Sequence, residues 1–103
     1  MGTSRRYAHR VDEQMDQRVI ERIARSGPLQ TLSDAELELG REPITRDPHP
    51  QPVRAWVRFG EAPVLLDAEA CVWTSHAVGI RFTVGGTQHK TWVWASAVRR
   101  VGE

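Results

Sequence analysis

The stretch RAWVRFGEAPVLLDAEACVWTSHAVGIRFTVGGTQHKTWVWA, residues 54–95, decides the fold. Apolar residues recur in it at a period of two, the spacing of strands that bury one face. All four tryptophans of the chain lie inside it. Its turns set the strand register. The pair Gly85-Gly86 suits a two-residue type I′ hairpin, because both central residues of that turn need positive φ. This turn pairs Val84 with Thr87, Phe82 with His89, Ile80 with Thr91 and Val78 with Val93. On the opposite face it sets Arg81 beside Lys90, Gly79 beside Trp92 and Ala77 beside Trp94.

Working toward the N-terminus, a three-residue loop Ser75 to Ala77 pairs Val72 with Ile80 and Ala70 with Phe82, and places Trp73 beside Gly79. A two-residue loop would turn Val72 to the wrong side. A four-residue turn from Gly60 to Pro63 then pairs Phe59 with Val64 and Val57 with Leu66. Opposite, it sets Arg54 against Glu69 and Trp56 against Asp67. These turns agree on one aliphatic face: Val53, Ala55, Val57, Phe59, Val64, Leu66, Ala68, Ala70, Val72, Val78, Ile80, Phe82, Val84 and Val93. The tryptophans fall on the other.

Upstream the period is helical. Asp12 is placed to cap a helix, Glu13 and Asp16 suit its N-terminal end, Arg22 and Arg25 its C-terminal end, and Gly27-Pro28 stop it. Met15, Val19, Ile20 and Ile23 form its apolar stripe, which is expected to cover Trp92 and Trp94 as a second core layer. Ser33 and Glu36 have capping-box spacing, with Leu32 able to staple onto Leu37, and predict a short second helix ended by Gly40. Pro43, Pro48, Pro50 and Pro52 make 41–52 an extended, polyproline-like connection. After Trp94, ASAVRRV reads as one 3₁₀ turn and a last strand at Val98 to Val101.

The expected domain organisation is therefore a flexible basic tail over 1–10 and one domain over 11–103. That domain comprises a helical part (11–40), the connection (41–52) and a β part (53–103). The expected fold is α+β, an N-terminal amphipathic helix and a short second helix on a strongly bent antiparallel meander. Four strands, one turn of helix and a brief closing strand follow the order of an SH3-like small barrel. That likeness is architectural and carries no functional motif.

Composition limits the function classes. The chain has 103 residues, enough for one core without a staple. Its single cysteine, Cys71, has no internal disulfide partner. No run of ~18 apolar residues is present, so no membrane partner is expected and a reducing, cytoplasmic setting is. Fourteen basic residues balance thirteen acidic ones, so basic recognition must be local. Lys90 is the sole lysine, and the arginine bias fits a GC-rich, bacterial-type coding sequence as readily as a recognition surface.

Tryptophan interleaved with basic residues on one sheet face is the strongest functional signal. Arg54, Trp56, Arg58, Trp73, Arg81 and Lys90 are the candidate partner-binding residues, Trp56 foremost because arginines flank it. Such a face clamps a protein or peptide segment. The alternative is nucleic acid, held by the same face and a basic arm of Arg5, Arg6 and Arg10. An uncovered tryptophan face would also permit a homodimer.

No enzyme, cofactor or metal site is expected. The register sends His89 and Cys71 to opposite faces, and no pair among the histidines and Cys71 has a known ligand spacing. Ser75-His76 adjacency does not by itself build a nucleophile and base. Gly85-Gly86 joins two strands and precedes no helix, so it is no phosphate loop.

Overall fold

The computed structural model describes residues 16–101. Arg5, Arg6 and Arg10, and with them Asp12, Glu13 and Met15, lie outside the described residues. In chain order the elements are α1 (Gln17–Ala24), α2 (Asp34–Leu37), β1 (Thr45–Phe59), β2 (Ala62–Trp73), β3 (Ala77–Val84), β4 (Thr87–Trp94), a 3₁₀ turn η1 (Ala95–Ala97) and β5 (Val98–Arg100). The strands form one antiparallel sheet in the order β4-β3-β2-β1-β5. Strand pairing does not join β4 to β5, so the sheet is open.

The β3–β4 hairpin has the register its turn dictates: Val84 opposite Thr87, Phe82 opposite His89, Ile80 opposite Thr91, Gly79 opposite Trp92 and Ala77 opposite Trp94. Gly85 and Gly86 take φ of 56° and 81°, as the type I′ turn requires. The β1–β2 turn is tighter than expected. Positive φ at Gly60 permits a two-residue connection, Gly60-Glu61, and the pairs become Phe59–Ala62, Val57–Val64, Trp56–Leu65 and Arg54–Asp67. Relative to the expected pairing the shift is by an even number of residues, so every side chain keeps its face.

The β2–β3 connection corrects the sequence reading. Thr74 and Ala77 close a tight turn, with the Thr74 amide donating to the Ala77 carbonyl (2.9 Å) and the Ala77 amide donating to Thr74 Oγ1 (3.1 Å). Trp73 then pairs with Val78 and Val72 with Gly79. This is the short turn that puts Val72 on the wrong side. A β-bulge at Cys71 absorbs one residue, so Ala70 meets Ile80, and Val64, Leu66, Ala68 and Ala70 keep the aliphatic face. Val72 therefore leaves the core and abuts Gly79, where a Cβ would stand 2.5 Å from Val72 Cγ1. Trp73 leaves the outer face.

The prolines also sit differently from the reading as a connection. From Thr45 the chain already runs in β1. Its ladder with β2 pairs Arg46 with Val72 and resumes at Gln51 with Ala70, so residues 47–50 bow out opposite Cys71. Pro48 and Pro50 fall in this irregular segment, where their missing N–H groups break no regular ladder. Asp47 supports it by accepting from the His49 amide (2.8 Å).

The core is the expected aliphatic face without Val72, from Val53 to Val84, with Val78, Val93 and Val98 packed at its margin. Phe59, Phe82 and His89 fill one end, the Phe82 and His89 rings stacked at 5.3 Å. Helix α1 is capped by Asp16, whose carboxylate accepts from the Arg18 amide at 2.8 Å. It packs on the aliphatic face through Ile20, Ile23 and Ala24, which corrects the expectation that it covers the tryptophans. The physical reason is that one face of a two-layer domain must be closed, and the continuous Val/Phe/Ile surface is the one that would otherwise meet water. Helix α2 has the full capping box of Ser33 and Glu36, and ends at Glu38 in the left-handed region (φ 54°), before Gly40.

Two substitutions on α1 test this placement by urea denaturation. Ile20 is 5% exposed in the core and Val19 is 37% exposed. Ile20→Ala should cost about 2–5 kcal/mol, whereas Val19→Ala should stay within about 0.5 kcal/mol.

Candidate functional site

The segment between the helices brings distant strands together. The Gly60 amide donates to the Pro28 carbonyl (2.7 Å) and the Gln30 amide to the Arg58 carbonyl (2.8 Å). Two residues on, the Leu32 amide donates to the Trp92 carbonyl (3.0 Å), and the Trp92 amide donates to Thr31 Oγ1 (3.1 Å). The Thr91 hydroxyl donates to the Gln30 carbonyl. Residues 28–32 thus form a strap from the end of β1 to the middle of β4.

Under the strap lies a groove of about 790 Å³ walled by Trp56 and Arg58 of β1, Trp92 and Trp94 of β4, Leu32 and Pro63. Trp56 is 42% exposed and Trp94 41%, while Trp92 is half-buried. Arg58 donates one guanidinium hydrogen bond to the Glu61 carbonyl (3.2 Å), which holds its charged head along the turn at the groove edge.

The sequence-predicted residues divide between places. Trp56 and Arg58 meet in this groove. Arg54 lies on the same strand face, its Nε 3.4 Å from Asp67 and its side chain only 18% exposed. Arg81 and Lys90 line a second groove of about 1020 Å³ with Cys71, Pro48 and Pro50, on the far side of Trp92. Arg81 Nε donates to Glu69 (2.8 Å), and that bond holds the guanidinium still more firmly in its charged form. Trp73, moved by the bulge, lines a third hollow with Val78, Ala95 and Val98. The six residues therefore do not make one patch. Trp92 and Trp94, expected under the helix, belong to the site.

A polar cluster adjoins the groove. The His76 ring lies 5.9 Å from the Trp94 ring, tilted by 35°. Its Nε2 is 3.6 Å from Glu38 and its Nδ1 3.8 Å from Glu42. The Ser75 hydroxyl and amide both donate to Glu42, and Ser75 Oγ is 3.2 Å from His76 Nδ1. Those bonds from Ser75, with a smaller pull from His76, hold the Glu42 carboxyl below the ordinary carboxylate range. Sequence reasoning placed Ser75 and His76 in a turn but had no means to bring Glu38 and Glu42 to them, since the contact spans the whole of β1 and β2. The four-residue spacing of the two glutamates was the only local sign.

Comparison with protein families, with curated proteins and with solved structures finds no match for the chain. Among the described residues no helix is long and apolar enough to cross a membrane.

The Ser75–Glu42 pair makes a pH prediction. A carboxyl whose pKa is lowered by folding stabilises the fold above its unfolded pKa, and that contribution is lost as pH falls through the folded value. The stability difference between wild type and Ser75→Ala should be at its full size above about pH 6 and should shrink as pH falls below the ordinary carboxylate range. Urea midpoints across that range measure it.

Proposed function

We propose that this domain is a non-enzymatic, cytoplasmic interaction module that binds an extended peptide segment of a partner protein in the groove between β1 and β4. The observation that carries this reading is the convergence of Trp56, Trp92 and Trp94 with Arg58 in one groove. Indole faces offer large, rigid apolar area at small entropic cost, and they stack well on proline and aromatic side chains. Arg58 supplies a fixed donor for a carboxylate or main-chain carbonyl of the same segment. The meander, the 3₁₀ turn and the short β5 laid on β1 support an SH3-like reading of the architecture, opened between β4 and β5.

The nucleic-acid alternative draws less support. Arg54 and Arg81 face Asp67 and Glu69, so their charges are already matched by carboxylates. Arg58 and Lys90 lie in different grooves.

Titration of the full chain with an array of synthetic extended peptides rich in proline and aromatic residues, read by tryptophan fluorescence, tests the proposal. Binding should change little with salt, and Trp56→Ala should weaken it by about 30-fold or more, the ~2 kcal/mol of a hot-spot residue. Peptide binding unaffected by Trp56→Ala would overturn it. So would binding of a single-stranded oligonucleotide alone, with affinity falling steeply as salt rises.

A further inference from the structure

We propose that Glu38, Glu42 and His76 form a binding site for a divalent transition-metal ion, with zinc as the expected occupant. One donor atom from each of the three residues fits within 4.8 Å of the others. They come from three places in the fold: the C-cap of α2, the connection into β1 and the β2–β3 turn. His76 Nε2 is 3.6 Å from Glu38 and Nδ1 is 3.8 Å from Glu42, so a metal takes one ring nitrogen and the carboxylate on the other side turns toward it. Zinc bonds of about 2.0–2.1 Å place tetrahedral ligand atoms about 3.4 Å apart, so donor atoms within 4.8 Å of one another close on an ion by side-chain rotation, Glu38 being exposed and Glu42 and His76 half-buried.

An ion-pair network explains the cluster less well. Imidazole carries at most one positive charge, and here two carboxylates converge on it, so the group is left with net negative charge at any pH where both are ionised. A bound dication would balance it. The surroundings are arranged as supports for ligands. Ser75 donates twice to Glu42, which fixes the carboxylate. Ser75 Oγ lies 3.2 Å from His76 Nδ1, which leaves Nε2, on the Glu38 side, for the metal. A histidine whose second nitrogen is held by a hydroxyl or carboxylate is the usual form of a metal-bound imidazole. Mixed nitrogen and oxygen donors favour zinc, cobalt or nickel over calcium and magnesium, which prefer larger all-oxygen sets. Three protein ligands leave a position for water or for a donor from a partner.

Such an ion would tie the α2–β1 connection to the β2–β3 turn beside Trp94, so its binding should register in tryptophan fluorescence. The test uses the reduced full chain, stripped of metal and titrated with cobalt(II) and then with zinc in competition. Expected are one saturable site, visible d–d absorption from bound cobalt, its loss on adding zinc, and a fluorescence change. Ser75→Ala should weaken binding about 10-fold, and His76→Ala should abolish it. His49→Ala and Cys71→Ser should leave it unchanged. If His76→Ala does not fold, Glu42→Gln serves in its place and must also lose the site. No saturable zinc or cobalt binding below millimolar concentration overturns the proposal. Binding that survives His76→Ala or Glu42→Gln, or that is lost in His49→Ala or Cys71→Ser, overturns it equally.

Discussion

The strap of residues 28–32 is the constraint on which the rest of the structure depends. A single curved sheet with β4 and β5 at its edges would leave β1 and β4 apart. Backbone bonds from Pro28 and Gln30 to β1, and from Leu32 to β4, hold them at a fixed spacing. The approach is close: at Gly27, a Cβ would stand 2.8 Å from Gly60 Cα, so the strap enters only where both chains lack a side chain. Leu29 pairs with Phe59 and packs on the core, while Thr31 and Leu32 line the groove. One segment therefore closes the interior and shapes the outer surface.

This arrangement explains why the tryptophans face outward. Helix α1 and the strap together cover the aliphatic face, leaving the second face to be shielded by its own side chains. Half-burying Trp92 against the strap and Gly79 removes part of the apolar area from water, and the cross-strand pairs of Arg54 with Asp67 and Arg81 with Glu69 keep the rest of that face polar. What stays open is concentrated at Trp56 and Trp94. This exposed aromatic pair on an otherwise polar face is the feature on which the proposed peptide groove rests.

The sequence made the strands, the β3–β4 register and nearly the whole aliphatic core legible, because a period of two and a Gly-Gly turn are local signals. The capping box of Ser33 and Glu36 was equally local. It misled at Val72 and Trp73, where parity counting assumed an unbroken strand and Cys71 forms a bulge; a bulge has no composition of its own here. It also misled on the cover of the tryptophans. Amphipathicity says that Ile20 and Ile23 must be buried but does not name the surface. Of the candidate site, Trp56 and Arg58 could be read, whereas Trp92, Trp94, the strap and the Glu38–Glu42–His76 cluster depend on contacts between residues far apart in the chain.

Native-state hydrogen exchange of the strap amides tests most directly whether residues 28–32 hold β1 and β4 together. The amides of Gln30, Leu32 and Gly60 should be protected to a common degree and should open as one unit with Trp92. Leu32 and Gln30 exchanging at the rate of a free peptide, while the β3–β4 ladder stays protected, would contradict the strap and the groove built on it.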